Sequence, residues 1–160
     1  MVYPTPFLSN FLGACVLTAA AMIGPGQASS TPVAKPPQES AVRILLHGQY
    51  QYDNGYYEAA IALYTAAIAR DPENVEAYAA RAGALGNLAD YPAAIADYSA
   101  AIALAPELAA AYGGRGVANY LKGDLEAAVA DLWQASQLFH AQENSQAYFK
   151  TLEFLKSIAP

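Results

Sequence analysis

A segment of the chain occurs twice, at a spacing of 34 residues. Residues 57–72 read YEAAIALYTAAIARDP and residues 91–106 read YPAAIADYSAAIALAP, and 11 of the 16 aligned positions are identical. The same period continues in single residues, because Tyr78 recurs as Tyr112 and Asp90 recurs as Asp124. A fixed period of this length is typical of repeat arrays, in which each copy is one supersecondary unit that packs on its neighbours. The period indicates three copies, at about residues 41–72, 75–106 and 109–140.

Each copy is predicted to form two helices with a tight turn between them. In the second copy, Tyr78, Ala82 and Leu85 recur at three- and four-residue steps, which marks one apolar helix face. Asp90 follows the break in this pattern and is placed to cap the next helix, and Pro106 ends that helix. The sequence therefore predicts an all-α protein, an α-solenoid built from antiparallel helical hairpins.

Alanine recurs at two positions of every copy where helices are expected to lie closest together. One set is predicted between the two helices of a hairpin: Ala60, Ala94 and Ala128. The other is predicted where one hairpin meets the next: Ala67, Ala101 and Ala135. A methyl side chain lets two backbones approach, so a larger residue is expected to cost about 1–3 kcal/mol through overpacking.

A pair of opposite charges also follows the period. Arg81 recurs as Arg115 and Asp97 recurs as Asp131, whereas the first copy has neither residue at these positions. Because both members are present or absent together, we expect an Arg–Asp contact within the second and the third copy. The alternative is two unrelated solvated charges, which contribute little to stability.

The pattern resembles the tetratricopeptide repeat (TPR) over about residues 41–140. In that family the first helix carries an aromatic residue and a large residue followed by a small one, and the second carries alanine, an aromatic residue, alanine and a closing proline. The second copy matches at Tyr78, Ala82, Leu85, Ala94, Tyr98, Ala101 and Pro106. The other copies depart from the pattern at Ile44, Gln51, Leu132 and His140. The resemblance implies a TPR-like superhelix.

After residue 140 the period slips, since Tyr112 reappears as Tyr148, 36 residues later. Tyr148, Leu152 and Leu155 form a further apolar stripe. A repeat array needs an atypical terminal element to cover its last hydrophobic face. Residues 145–158 are therefore predicted to be a capping helix, which completes a TPR domain over residues 41–160.

The first forty residues are predicted to lie outside the array. Residues 11–23 form an uncharged apolar run, and Gly26 and Ala28 place small residues before a possible cleavage after Ala28. Residues 1–28 are interpreted as a signal peptide, which implies export to a periplasm, an organelle lumen or the extracellular space. A membrane anchor is the alternative, because residues 7–23 reach the short limit of a membrane span. A weaker alternative is lipidation at Cys15.

Residues 29–40 are rich in proline and serine and are interpreted as a linker. An uncleaved N-terminal segment would be the route by which this chain contacts a membrane. The net charge of −6 and the absence of a basic run argue against nucleic acid as a partner.

The sequence shows no catalytic or metal-binding constellation. Cys15 is the single cysteine, so it forms no intramolecular disulfide and no metal-type spacing. His47 and His140 fall in different copies, and neither has a histidine or cysteine nearby in sequence. We therefore expect no enzymatic activity, no cofactor and no metal.

The resemblance implies that a ligand binds along the inner, concave surface of the first helices. The positions carried over to this chain are Leu45, Gln49, Tyr52, Asp53, Glu76, Ala79, Gly83, Asn87, Ala110, Gly113, Val117 and Tyr120. None is basic, so the clamp of lysine and arginine with which some TPR domains hold the carboxylate end of chaperone tails is absent. An apolar to mildly basic peptide segment of a partner protein is the expected ligand. A self-associating subunit of an envelope complex is the alternative function.

Glycine is unusually frequent in these first helices, at Gly83, Gly86 and Gly113. Each glycine costs about 1 kcal/mol relative to alanine inside a helix. One interpretation is that a ligand passes close to the backbone. The alternatives are tight packing of adjacent helices or positions under no constraint.

Overall fold

The computed structural model describes residues 40–158. The predicted signal peptide and all but the last residue of the predicted linker lie outside the described residues. Residues 40–158 contain helices and turns but no strand. The helices are α1 (Ala41–Asp53), α2 (Tyr57–Arg70), α3 (Val75–Asn87), α4 (Tyr91–Leu104), α5 (Ala109–Lys122), α6 (Leu125–Ala141) and α7 (Ser145–Ile158). None of them is long and apolar enough to cross a membrane.

Local side chains explain where several helices begin and end. Ser40, Asn74, Asp90 and Asp124 each accept a hydrogen bond from the backbone N–H three residues later, at 3.3, 2.9, 3.2 and 3.1 Å. These bonds satisfy N–H groups that have no partner within the helix. Gly123 ends α5 in the left-handed conformation, with φ of 94°, which glycine adopts without a steric penalty.

The helices pack as three successive hairpins followed by a single helix. The contacts are most extensive within the pairs α1–α2, α3–α4 and α5–α6, and α2, α4 and α6 each pack on the next helix of the chain. The repeated alanines are fully buried: Ala60, Ala67, Ala94, Ala101, Ala128 and Ala135. The result is an all-α solenoid, and α7 packs on α6 at its end.

Two hairpins also use glycine for close approach. A Cβ at Gly48 would lie 2.6 Å from Cε1 of Tyr64, and a Cβ at Gly116 would lie 2.8 Å from Cγ of Leu132. In the middle hairpin the equivalent residue is Ala82. The side chain of Tyr98, which is equivalent to Tyr64, contacts Gly114 of the next hairpin.

Arg81 connects three helices. Its Nε and Nη2 atoms donate to the carboxylate of Asp97 on α4, at 2.6 and 2.8 Å, and its Nη1 atom donates to Oγ1 of Thr65 on α2, at 3.0 Å. The hydrogen bond to Asp97 raises the pKa of Arg81, so the guanidinium remains charged. The Arg–Asp contact expected from the sequence is therefore present in the second hairpin, and it extends to the hairpin before it.

The third hairpin repeats this arrangement. Arg115 donates to Asp131 at 2.8 and 2.7 Å and to Oγ of Ser99 at 2.9 Å. Asp131 also accepts from Nδ2 of Asn119, at 3.2 Å. The hydroxyl partners of the two arginines, Thr65 and Ser99, each lie on the helix before the arginine and are 34 residues apart. The repeat period therefore includes a hydroxyl partner for each arginine as well as its aspartate.

Candidate functional site

A cleft of about 320 Å³ lies among α1, α3, α4 and α5. Its lining combines small residues, apolar residues and neutral polar residues: Tyr52, Gly83, Gly86, Asn87, Tyr91, Tyr98, Gly114, Val117, Ala118 and Leu121. None of these side chains is charged. The polar groups that the side chains contribute are three phenol hydroxyls and one amide.

Three of the lining residues are glycines, and they differ in what the fold requires of them. A Cβ at Gly114 would lie 2.3 Å from Cζ of Tyr98, which real Cβ atoms do not tolerate. A Cβ at Gly83 would have its nearest neighbour 3.7 Å away, and a Cβ at Gly86 would meet nothing within 4 Å. Packing therefore explains Gly114 but not the other two, which lower helix stability without a steric reason.

Two tyrosine hydroxyls approach the same point of the cleft. A Cβ at Gly83 would lie 3.7 Å from Oη of Tyr52 and 3.8 Å from Oη of Tyr98. Asn87 fixes the first of these, because its Nδ2 atom donates to Oη of Tyr52 at 2.9 Å. The ring of Tyr52 packs edge-on against Tyr57, with 5.4 Å between centroids. The Tyr52 side chain is thus held from two sides.

Tyr98 is half-buried where it lines the cleft. Burial, and then the neighbouring Tyr52, raise the pKa of Tyr98 above its ordinary value, so the hydroxyl stays protonated near neutral pH. Among residues 40–158, none makes a hydrogen bond with this hydroxyl. Tyr98 therefore presents an O–H donor to the cleft.

The cleft brings together four of the residues predicted to line a concave surface: Tyr52, Gly83, Asn87 and Val117. The other predicted residues lie elsewhere. Leu45 packs into the hydrophobic cores of the first hairpins. A Cβ added at Gly113 would lie 3.8 Å from Cβ of Ala135. Ala79 is half-buried, and Ala110 and Glu76 are exposed.

Three further predicted residues make contacts of their own. Gln49 donates to Asp53 at 2.8 Å and accepts a long hydrogen bond from the buried Tyr64 hydroxyl at 3.4 Å. Tyr120 packs edge-on against Phe154 of α7, with 5.4 Å between ring centroids. These residues lie outside the cleft, and Tyr120 holds the terminal helix.

Sequence reasoning did not place Tyr91, Tyr98 or Gly114 at the site. The two tyrosines belong to the repeat pattern, which predicts packing between helices for them. The available signal was Gly114, which replaces the equivalent Ala80 of the second copy and makes room for a ring.

The histidines and acidic residues form no metal centre within the part of the chain that the structure describes. The Nε2 atom of His47 lies 3.2 Å from the Nε2 atom of Gln51. His140 packs near the ring of Tyr148, with 5.2 Å between centroids. Neither histidine lines the cleft.

The described residues thus define a helical-repeat protein with an uncharged cleft among its hairpins. A family model described as tetratricopeptide repeat matches residues 45–87 and 80–145, and the chain belongs to that family. No curated protein matches the chain.

Solved TPR structures share this fold. The first TPR of Spaghetti (RPAP3), bound to the HSP90 peptide SRMEEVD, is 28% identical, with a TM-score of 0.69 over 75% of this chain and 90% of that one. The TPR2B domain of yeast Sti1, in a complex with pHsp70, is 29% identical, with a TM-score of 0.62 over 71% and 96% of the two chains. The type III secretion translocator chaperone SycD of Yersinia enterocolitica is 19% identical, with a TM-score of 0.71 over 76% and 86%, and it shows the fold alone. The family and the RPAP3 and Sti1 domains support a protein-interaction module.

Proposed function

We propose that this protein is a non-catalytic interaction module that holds a peptide segment of a partner protein in the cleft among α1, α3, α4 and α5. The observation that carries the proposal is the pair Gly83 and Gly86, where a Cβ would fit without a clash. A helix that omits side chains without a packing reason leaves room for another chain to approach its backbone. Tyrosine rings beside such a space are favoured anchors in protein interfaces.

The chemistry of the cleft favours an apolar to mildly basic segment. Its lining has no charged side chain, and the charged residues at the other predicted positions, Asp53 and Glu76, are acidic. The SRMEEVD peptide of the RPAP3 structure carries three acidic residues. Because burying an unpaired carboxylate is unfavourable, such a tail is a poor match for this cleft.

The experiment is site-specific photocrosslinking from inside and outside the cleft. A photoreactive residue at Leu121, which lines the cleft, should crosslink a defined segment of one partner. The same residue at Tyr56, which is 62% exposed and does not line the cleft, should not. Gly86→Leu should abolish the crosslink from position 121, because its side chain would enter the open space. Equal crosslinking from both positions, or no effect of Gly86→Leu, would contradict the proposal.

We also propose that the protein is exported, with residues 1–28 as a signal peptide and an uncleaved membrane anchor as the alternative. The apolar run at residues 11–23 and the small residues Gly26 and Ala28 support cleavage. Mass spectrometry of the mature N-terminus tests this proposal. A mature chain that begins at Ser29 is expected, and a chain that retains Met1 or Val2 would favour the anchor.

A second candidate function is self-association as a structural subunit. It is favoured by an exposed apolar stripe on α1, formed by Val42, Leu46 and Tyr50, which are 59%, 63% and 65% exposed. The residues equivalent to Leu46 and Tyr50 in α3 are the smaller Ala80 and Ala84. Light scattering should then show a mass that rises with concentration and returns to the monomer value in Leu46→Glu. A constant monomer mass would exclude this second function.

A further inference from the structure

We infer that the segment in the cleft is an internal, uncharged stretch of the partner chain whose main-chain carbonyl accepts a hydrogen bond from the Tyr98 hydroxyl. This inference rests on the proposed function and specifies the ligand at the same site. It distinguishes an internal segment from a C-terminal tail, which would bring a carboxylate.

Two hydroxyl groups of the cleft are available as hydrogen-bond donors. The Tyr98 hydroxyl makes no hydrogen bond among the described residues, and the Tyr52 hydroxyl already accepts from Asn87 at 2.9 Å. Tyr52 therefore retains its own hydrogen for donation, and both O–H groups lie within 3.8 Å of the point where Gly83 would carry a Cβ. An acceptor placed above Gly83 is within reach of both hydroxyls. A peptide carbonyl has two lone pairs and can accept from two donors at once.

The absence of a charged side chain from the cleft favours a neutral acceptor. The first helices α3 and α5 contain Arg81 and Arg115, but both guanidinium groups are bonded to Asp97 and Asp131. Neither arginine lines the cleft. A carboxylate would lose its hydration there without gaining a cation, whereas an amide carbonyl loses much less. Phenol donors that stay protonated suit a neutral carbonyl.

The glycines provide the space for a main chain. At Gly83 the nearest atoms to a Cβ are the two hydroxyl oxygens themselves, at 3.7 and 3.8 Å. A methyl group at this position would be tolerated by the fold and would project into the space beside the two hydroxyls that the acceptor has to enter. Gly83→Ala is therefore a substitution that should weaken binding without disturbing the helix.

The test uses two peptide libraries displayed in parallel on phage and selected on the 160-residue chain. One displays random nine-residue segments flanked on both sides, and the other displays random segments with a free C-terminus. The flanked library should be enriched in uncharged sequences that contain large apolar residues. A selected peptide is then synthesised in two forms, one acetylated and amidated and one with a free C-terminal carboxylate. The affinities of the two forms should agree within about twofold.

Matched variants then test the residues. Tyr98→Phe and Gly83→Ala should each weaken binding by about tenfold, since one removes the donor and the other blocks the acceptor. Gly113→Ala is the control, because it adds the same methyl in α5 at ordinary contact distance from Ala135 and outside the cleft. It should change binding by less than about twofold. Thermal unfolding of each variant shows whether it is folded.

The possible failures are distinct. Enrichment of the free-C-terminus library, or binding that is unchanged in Tyr98→Phe and Gly83→Ala, would overturn the inference while leaving a peptide-binding function in place. If neither library yields a peptide that binds, both the inference and the proposed function are wrong.

Discussion

Tyr98 of α4 and Gly114 of α5 are in direct contact, so close that a Cβ at Gly114 would lie 2.3 Å from Cζ of the tyrosine ring. This contact joins the second hairpin to the third and forms one wall of the cleft. A methyl at position 114 must displace the ring. Gly114→Ala should therefore destabilise the protein by about 1–3 kcal/mol through overpacking, despite the higher helix propensity of alanine.

The same substitution in a chain without the Tyr98 ring separates the effect of this contact from the other effects of Gly114→Ala. In a chain that already carries Tyr98→Ala, the ring is gone, and Gly114→Ala should be neutral or stabilising by up to about 1 kcal/mol. Urea unfolding of the four chains measures both values. Equal effects in the two backgrounds would show that the ring does not require the glycine.

Gly86 provides the opposite prediction, because a Cβ there would meet nothing within 4 Å. Gly86→Ala should stabilise the protein by about 1 kcal/mol, the difference in helix propensity between the two residues. The measurement is the denaturation midpoint in urea at constant slope. A loss of stability would mean that the backbone of α3 is packed more tightly at this point than the structure shows.

The repeat period predicts which residues are buried better than it predicts the cleft. Ala94 and Ala128 are buried as expected, because every hairpin uses the same approach of backbones. The cleft forms between hairpins and depends on where copies differ. Ala82 replaces the glycine that accommodates the equivalent ring in the first hairpin, and Gly114 accepts Tyr98 instead. A pattern defined by what the copies share does not contain this information.

The Arg115–Asp131 pair has a further amide donor that the Arg81–Asp97 pair lacks, and this difference predicts their relative contributions. Asp97 and Asp131 are both 8% exposed, but Asp131 also accepts from Nδ2 of Asn119 at 3.2 Å. Removing the arginine leaves a buried carboxylate, which is costly when it has no other donor. Arg81→Ala should therefore destabilise the protein by about 3 kcal/mol, and Arg115→Ala by about 1 kcal/mol less.

The control for this comparison removes the extra donor. In a chain with Asn119→Ala, the substitution Arg115→Ala should become as costly as Arg81→Ala. Chemical denaturation of the single and double variants provides the values. If Arg115→Ala is the more damaging single change, the amide of Asn119 does not compensate for the lost guanidinium.

Tyr64 predicts a loss of stability at alkaline pH. Its side chain is fully buried, and burial, followed by the charge of Asp53 and by Tyr52, raises its pKa from 10.0 to about 12. The folded chain thus keeps a proton that the unfolded chain releases above pH 10. This contribution to stability is complete below pH 10 and is lost as the pH rises from 10 to about 12.

Tyr64→Phe isolates this contribution, because the variant has no proton to lose at that position. Its free energy of unfolding should fall less steeply between pH 10 and pH 12 than that of the parent chain. Tyr50→Phe is a matched control, since Tyr50 is 65% exposed and should leave the slope unchanged. Parallel curves for Tyr64→Phe and the parent would contradict the assigned pKa.

Tyr120 was predicted to contact a ligand, but the structure places its ring against Phe154 of the terminal helix, with 5.4 Å between centroids at an angle of 84°. An aromatic pair of this geometry contributes about 0.5–1.5 kcal/mol beyond the area it buries. Tyr120→Leu and Phe154→Leu should each lower stability, and the double variant should cost less than the sum of the two because they remove one shared contact. A double-mutant cycle by urea unfolding measures this coupling.

Binding of a cleft peptide should be unchanged in all three variants, because neither ring lines the cleft. Weaker binding in Tyr120→Leu, together with normal binding in Phe154→Leu, would show that Tyr120 contacts the ligand.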